Sequence, residues 1–171
     1  MIWFWVASGI VVLFGFVVVR GAPYVPTRRK LLDKAFTTLY PLGKRDVLVD
    51  IGSGDGVVLR AAARCGARSI GYELNPALVV IAKILSRSRL ISVRLADFWL
   101  VTLPFETTIV YTFGDSRDIK KMYKKVQQTA SLHQKDVYFM SFGFKVPNVQ
   151  PEKHNKSFYL YKVRPQTFTE Q

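Results

Sequence analysis

The residues best suited to chemistry in this 171-residue chain form a short glycine-rich segment, Asp50-Ile51-Gly52-Ser53-Gly54-Asp55-Gly56. Alternating glycines let a turn adopt positive φ angles and let its backbone approach a ligand closely. A second carboxylate, Glu73, ends the next apolar stretch of the sequence. A glycine turn with a carboxylate on either side predicts a binding site for a small ligand that offers cationic and hydroxyl groups.

The glycine spacing separates this segment from the common phosphate-binding motifs. A dinucleotide site of the G-x-G-x-x-G type needs glycine at position 57, where this chain has Val57. A P-loop needs Gly-Lys-Ser/Thr after the turn, and the sequence does not contain it there. A pyrophosphate gains nothing from the carboxylate of Asp50, whereas an ammonium group does. S-adenosylmethionine (SAM) carries an ammonium, a sulfonium, a ribose and an adenine without any phosphate, and Glu73 can accept hydrogen bonds from both ribose hydroxyls.

Alternating strands and helices must hold the two carboxylates together. The apolar pattern predicts six strands, at residues 47–51, 69–73, 91–95, 108–113, 136–141 and 158–163. It predicts helices from Thr27 to about Tyr40, from Val57 to about Cys65, from Pro76 to about Ser86 and from about Ser116 to Ala130. This alternation indicates an α/β fold with a doubly wound, mostly parallel sheet, in which Asp50 and Glu73 share the carboxyl edge. Because no helix separates the last two strands, we expect the last strand to pair antiparallel at an edge.

The N-terminal segment from Ile2 to Val19 contains no ionisable side chain, and at about 1.5 Å per residue it spans roughly 27 Å as a helix. A signal peptide would need a basic start and a small-residue cleavage site, and a buried helix rarely lacks a polar face over this length. We therefore predict an uncleaved transmembrane helix in residues 1–20, a linker and helix in 21–45, and a catalytic domain in 46–171. The basic residues that follow the apolar run, beginning at Arg20, place that domain on the cytoplasmic side, or in the matrix of a mitochondrion.

The net charge and the numbers of cysteines and histidines limit the kinds of site and partner that we expect. With 25 Lys and Arg against 12 Asp and Glu, the chain carries a formal charge of +13. A single cysteine, Cys65, excludes an intramolecular disulfide, and two isolated histidines argue against a metal site. Four lysines share one face of the predicted fourth helix, namely Lys120, Lys121, Lys124 and Lys125. Such a face suits solvent or an anionic membrane. Because no aromatic pattern of an RNA-binding module accompanies it, we expect no nucleic-acid partner.

Three segments resemble the successive SAM-binding motifs of seven-strand (class I) methyltransferases: residues 47–56, Gly-Tyr-Glu-Leu-Asn-Pro at 71–76, and Ala-Asp-Phe-Trp at 96–99. Together with the apolar N-terminus and Pro-Tyr-Val-Pro-Thr at 23–27, they make the chain similar to the single-span lysine methyltransferases related to the ATP synthase c-subunit lysine N-methyltransferase. The resemblance extends to about Gly143. It implies a Rossmann-like fold, SAM as the cofactor, and methyl transfer to a lysine of a membrane protein.

The resemblance also implies roles for individual residues. Asp50 and the glycines after it would line the methionine part of SAM, and Glu73 would hold the ribose. Asp97 would meet the adenine amino group, with Phe98 or Trp99 beside the ring, while the segment around Tyr24 would fold over the cofactor. The complete cofactor site implied in this way is Asp50, Gly52, Ser53, Gly54, Glu73, Leu74, Asn75, Asp97, Phe98, Trp99, Tyr24 and Thr27.

The residues of the acceptor site follow less directly. Many amine and base methyltransferases carry Asn/Asp-Pro-Pro-Tyr after the fourth strand, where this chain has Tyr111-Thr112-Phe113-Gly114-Asp115. This departure disfavours the usual nucleic-acid enzymes, and we predict that Tyr111, Phe113 and Asp115 shape a lysine channel. The alternatives are a lipid headgroup, a quinone or another small molecule as the methyl acceptor, a non-catalytic SAM-binding membrane adaptor and, more weakly supported, an RNA methyltransferase.

Overall fold

The computed structural model describes residues 1–5, 8, 29–113, 116–155 and 157–166. Residues 2–5 are helical, and both Trp3 and Trp5 are exposed. Most of the predicted membrane span, as well as Tyr24, Thr27 and Asp115, falls outside these ranges. Among the helices in the described ranges, none is both long enough and apolar enough to cross a bilayer.

One mixed sheet of seven strands organises the described part of the chain. Its strands are β1 (Val47–Ile51), β2 (Arg68–Glu73), β3 (Ile91–Leu95), β4 (Ile109–Phe113), β5 (Val137–Phe142), β6 (Lys153–His154) and β7 (Phe158–Val163). They lie in the order β3-β2-β1-β4-β5-β7-β6. The strands β1 to β5 pair in parallel, whereas β7 pairs antiparallel with both β5 and β6. The carboxyl ends of β1, β2 and β3 therefore meet at one edge of the sheet, where ligands bind in folds of this type.

Helices cover both faces of this sheet. They are α1 (Arg29–Lys34), which continues into a π-helical turn at Ala35–Leu39, α2 (Val57–Arg64), α3 (Pro76–Leu85) and α4 (Ile119–His133). A short 3₁₀ turn, Phe98–Leu100, follows β3. Buried residues of α1, the π turn, α2 and α3 share one apolar core, and buried residues of α4 and the 3₁₀ turn share the other.

The alternation of strand residues between these two cores positions the site. Leu48 belongs to the α2 side and Val49 to the α4 side. Because successive strand residues point to opposite faces, the side chain of Asp50 lies on the α2 side. Tyr111 is its register neighbour on β4 and belongs to the same core.

The predicted doubly wound α/β fold is confirmed, with a correction to the number of strands. The sheet has seven strands, not six, since the link between the last two predicted strands contains β6. The last strand does pair antiparallel as predicted, but β6 lies outside it, so β7 is not the edge. A strand of two exposed residues, Lys153 and His154, shows no apolar alternation from which it could be predicted.

Two helices also differ from the prediction. The helix expected from Ser116 begins at Ile119 and continues to His133, because buried positions recur as far as Ser131. The helix expected to reach about Tyr40 changes to π-helical geometry at Ala35, where buried Ala35, Phe36 and Leu39 face the sheet. The remaining predicted strands and helices end within one residue of the observed bounds.

Candidate functional site

The glycine turn joins β1 to α2 and is fastened to the neighbouring strand by its backbone. The amides of Gly52 and Ser53 both donate to the carbonyl oxygen of Tyr72, at 2.9 and 3.1 Å. Gly52 and Gly54 have φ angles of +68° and +53°, which side chains rarely tolerate. Around a Cβ placed at Gly52, no atom of the described residues beyond its two chain neighbours lies within 4 Å, so the backbone at this point is open to a ligand.

Gly71 on β2 allows the turn to lie against the strand. A Cβ at this position would lie 2.4 Å from Ser53 Oγ and 2.7 Å from Leu59 Cδ1. Both distances are shorter than real carbon contacts, so no larger residue fits here without movement of the turn or of α2. The motif at 71–76 thus starts with a glycine for a packing reason that its sequence alone does not reveal.

Glu73 ends β2 with both carboxylate oxygens engaged by backbone donors. Its Oε2 accepts from the amide of Gly54, and its Oε1 accepts from the amide of Asn75, each at 2.9 Å. Asn75 in turn caps α3 by accepting from the amide of Ala77 at 2.9 Å. These bonds fix the orientation of a carboxylate that is only 8% exposed. Each oxygen keeps a further acceptor position, as two neighbouring ribose hydroxyls require.

Asp50 differs from Asp55, the other carboxylate of the turn, because one of its oxygens has no donor among the described residues. It is 2% exposed, and its Oδ2 has no hydrogen-bond partner within the described part of the chain. Burial raises the pKa of the Asp50 carboxyl well above its ordinary value, and the nearby carboxylates of Glu73 and Asp55 raise it further. Asp55, by contrast, forms an ion pair with Arg60 at 2.9 Å and accepts from the amide of Val57. Within the described residues, the site therefore contains one buried acid without a paired cation.

The turn after β3 lies at the same edge of the sheet, next to the end of β2. Asp97 Oδ1 accepts from the amide of Trp99 at 2.9 Å, which starts the 3₁₀ turn. Phe98 is buried, whereas Trp99 is 41% exposed at the surface. Lys125 on α4 donates from Nζ to the carbonyl of Trp99 at 2.8 Å and lies 5.0 Å from the ring centroid of Phe98. Burial lowers the pKa of Lys125, and the carboxylate of Asp97 opposes this shift.

Lys125 belongs to this edge although its place in the sequence does not indicate it. By residue type and spacing, Lys125 groups with three exposed lysines of the same helix, Lys120, Lys121 and Lys124. Neither property indicates that one of the four reaches the turn after β3. The structure separates Lys125 from that basic face.

The residues predicted to shape the acceptor channel lie at the end of β4. Tyr111 is 1% exposed and packs edge-on against Phe36 of the π turn, with ring centroids 6.3 Å apart. Phe113 is half-buried, and its ring centroid lies 5.2 Å from that of Phe142 on β5. Asp115 is among the residues that the structure does not describe, so only the two aromatic side chains can be placed.

The predicted cofactor residues that the structure describes, which are all of them except Tyr24 and Thr27, therefore fall into three groups on one edge of the sheet. Asp50, Gly52, Ser53 and Gly54 lie at the end of β1 and in the glycine turn. Glu73, Leu74 and Asn75 lie where β2 passes into α3, and Asp97, Phe98 and Trp99 follow β3. These are three neighbouring strands, in the order β3-β2-β1.

A family model, described as the ANTKMT methyltransferase domain, matches residues 50–153, from Asp50 in the first strand to β6. The chain belongs to this family. Membership confirms the predicted family, that of methyltransferase domains similar to the lysine N-methyltransferases.

Similar proteins fit this assignment. The human ATP synthase c-subunit lysine N-methyltransferase is 30% identical over 134 residues, which are 76% of this chain and 55% of the relative. The mouse adenine nucleotide translocase lysine N-methyltransferase is 41% identical over 63 residues, covering 36% of this chain and 27% of the relative. The chain thus spans about half the length, or less, of these curated relatives.

A solved structure supports the fold. The RNA methyltransferase from Salinibacter ruber, crystallised with S-adenosyl-L-homocysteine, superposes with a TM-score of 0.71 and 24% sequence identity. The match covers 85% of this chain and 98% of that structure. At this identity, the likeness extends to the arrangement of strands and helices and not to the substrate.

The site of this ANTKMT-family domain fits the functional groups of SAM. The buried Oδ2 of Asp50 has no partner among the described residues, and SAM carries an ammonium group. The glycine turn leaves open space at Gly52, and Glu73 offers oriented acceptors for hydroxyl groups. The unpartnered acid is the decisive feature, because a ligand bearing only phosphates would add negative charge next to it.

Proposed function

We propose that this chain is a membrane-associated protein-lysine N-methyltransferase that transfers methyl groups from SAM to a lysine of a membrane protein. The single observation that carries the cofactor part is the buried, unpartnered carboxylate of Asp50 beside an open glycine turn. The names of the lysine-methylating relatives, which specify the c-subunit of ATP synthase and the adenine nucleotide translocase, support the acceptor.

In this proposal, each residue at this edge of the sheet contacts a different part of SAM. Asp50 would bind the ammonium group of SAM. Glu73 would accept hydrogen bonds from the ribose hydroxyls, and Asp97 would accept one from the adenine amino group. Phe98 and Trp99 would flank the adenine ring. When bound, SAM supplies a methyl group on a sulfonium, which is already an activated leaving group. The protein then acts mainly by holding the acceptor amine in line with the methyl group, and such positioning accounts for a large share of the rate acceleration.

The acceptor lysine must reach the site as a neutral amine. A free lysine has a pKa of about 10.4, so most of it is protonated at neutral pH. An apolar channel penalises the charged form and shifts the amine towards neutrality. Tyr111 and Phe113 are the aromatic side chains of β4 on the face of Asp50, and we propose that they form the wall of this channel with Asp115. Tyr111 is the deeper of the two, so its part is to support the wall from below.

The apolar segment 2–19 is proposed as the membrane anchor, and residues 23–27, including Tyr24 and Thr27, as a cover over the cofactor. The basic residues after the segment favour a domain on the cytoplasmic or matrix side. An enzyme held on the same surface as its target gains effective concentration without a dedicated recognition domain.

Calorimetry with SAM tests the cofactor site. Asp50→Ala and Glu73→Ala each remove a charged hydrogen-bonding partner worth about 1.5–3 kcal/mol, so we expect affinity to fall roughly 10- to 100-fold or more. Glu152→Ala is the matched control, because this exposed carboxylate precedes β6 at the far edge of the sheet. Unchanged affinity in both site variants would reject the assignment.

Incubation of membranes with SAM labelled in its methyl group tests the acceptor. Label in a protein band, located on lysine by mass spectrometry, supports the proposal. Label that partitions into organic solvent would instead indicate a lipid or quinone acceptor, and label in RNA would indicate a nucleic-acid enzyme. Cofactor binding without any transfer would leave the non-catalytic adaptor. Each of the last three results contradicts the lysine acceptor.

A further inference from the structure

Helix α3 has an apolar face that no part of the described chain covers. Val79 and Ala82 are buried against the sheet, at 4% and 0% exposure. On the opposite side the helix presents four large apolar side chains to the surface. This set, called the α3 outer face, consists of Val80, Ile81, Ile84 and Leu85, which are 43–57% exposed. Their positions, i, i+1, i+4 and i+5, place them on one side of the helix.

Contiguous exposed apolar side chains of this kind often mark an interaction surface, whereas apolar residues scattered singly over a surface do not. The residues around the α3 outer face identify its chemistry. Lys83 lies beside it on the helix, Arg87 and Arg89 follow it in the sequence, and all three are exposed. The sequence from 76 to 90 contains no acidic residue. Apolar side chains with a basic rim are typical of helices that lie in the interface of an anionic bilayer.

The place of Arg29 beside the end of α3 supports the same kind of partner. Arg29, the first described residue after the N-terminal segment, lines one cleft with Leu85, Ser86 and Arg87 at the end of α3. The chain that carries the proposed anchor therefore enters the folded domain beside the α3 outer face. A bilayer reached by that anchor would lie near this side of the domain.

Charge disfavours a second copy of this chain as the occupant. In a symmetric contact through α3, Lys83, Arg87 and Arg89 of one copy would approach the same residues of the other. Like charges brought together at an interface are unfavourable. An anionic lipid surface instead offers phosphates to these cations and an apolar layer to the side chains between them.

We propose that the α3 outer face docks on the anionic surface of a bilayer, with its apolar side chains in the boundary between headgroups and acyl chains. This inference rests on the proposal that the enzyme works at a membrane. Because Asn75 caps α3 and lies two residues after Glu73, docking would also fix the cofactor edge of the sheet relative to the bilayer. The orientation of the site towards a membrane-embedded lysine would then not depend on the N-terminal segment alone.

An environment-sensitive fluorophore on the full chain tests the docking. Ile84→Cys is labelled in a Cys65→Ser background, and Lys121→Cys on α4, which covers the other face of the sheet, is the matched control. The probes are vesicles of phosphatidylcholine with and without phosphatidylglycerol. We expect a blue shift and quenching by brominated lipid at position 84 on the anionic vesicles, and little change at position 121.

A label at position 84 that stays in water on anionic vesicles overturns the proposal. Shielding of that label in solution that grows with protein concentration points to self-association, and shielding only in vesicles that contain a membrane protein points to a protein partner; either result also overturns it. As a second measure, Ile81→Ser with Ile84→Ser should weaken partitioning into anionic vesicles about tenfold, since half-exposed apolar side chains are lost. SAM affinity is measured on the same variants. Weaker partitioning with intact SAM binding supports this inference, whereas unchanged partitioning with intact SAM binding counts against it and leaves the proposed function standing.

Discussion

Replacing Asp50 by asparagine should stabilise the ligand-free protein while weakening its cofactor site. The carboxylate is 2% exposed, and its Oδ2 has no partner in the described part of the structure. Glu73 and Asp55 add negative charge nearby, so the ionised form is unfavourable in the folded state. Asparagine keeps the shape of the side chain and removes the charge.

The size of the effect follows from the penalty for a buried group without a partner. That penalty is about 1–3 kcal/mol and larger for a charge. Asparagine still buries one unpaired polar group, so we expect a net gain of about 1–2 kcal/mol at neutral pH. In a domain of this size, 1 kcal/mol corresponds to roughly 2–4 °C, which gives a rise in Tm of about 2–8 °C.

The gain should depend on pH in a defined direction. The pKa of Asp50 is raised on folding, so the folded state binds a proton more tightly than the unfolded chain. The contribution of Asp50 to the free energy of unfolding is therefore fully present below the pKa of the unfolded chain, near 3.8. It is lost as the pH rises through the pKa of the folded state. The difference between Asp50→Asn and the parent protein should accordingly be largest at neutral or alkaline pH and should shrink as the medium is acidified.

Thermal unfolding of both proteins without SAM, over a series of pH values, measures this difference. Asp55→Asn is the control, because the same substitution there breaks the ion pair with Arg60 and should lower Tm. Calorimetry with SAM should show weaker binding by Asp50→Asn. A variant that is destabilised at neutral pH, or whose advantage grows on acidification, would refute the view that Asp50 is an uncompensated buried charge.

Two further substitutions test the frame of the site. Gly71→Ala should destabilise the protein by about 1–3 kcal/mol in denaturant unfolding, because its Cβ would lie 2.4 Å from Ser53 Oγ. Gly43→Ala should be mild by comparison, since its nearest atom would be 4.0 Å away; equal effects would contradict the close-packing argument. Lys125→Met removes the bond to the carbonyl of Trp99, so SAM affinity should fall about 3- to 10-fold with little change in Tm. Unchanged affinity would show that this lysine does not position the turn.

The apolar pattern of the sequence was enough to predict the layered fold. Strands such as Phe158–Val163 consist mostly of apolar residues. The start of α3 is predictable because Asn75 is a favoured N-cap residue and Pro76 is favoured at the first helical position. The missed β6 has two exposed residues, and its pairing with β7 depends on backbone bonds that no side-chain pattern records. The π turn at Ala35–Leu39 was missed for a similar reason, because it buries the same apolar residues that an α-helix would present.

Residue type and spacing predicted the acidic residues at the edge but not their electrostatic states. Asp50 and Asp55 lie in one turn. Only the structure shows that Arg60 pairs with Asp55, while Asp50 is buried without a cation among the described residues. The same limit applies to Lys125, which the structure distinguishes from its neighbours by a bond across to Trp99. Such pairings arise from long-range contacts, and local sequence contains no record of them.

The contrast between Asp50 and Glu73 explains how one edge can combine rigidity with affinity. Glu73 is compensated before any ligand arrives, because two backbone amides donate to it, so its charge holds the turn in shape. Asp50 is not compensated, so the ligand-free protein carries the cost of its burial. A cationic ligand relieves that cost when it binds, and the relief adds to its affinity. Under the proposed function, loss of stability and gain in binding would originate from the same carboxylate, so a substitution that improves one should impair the other.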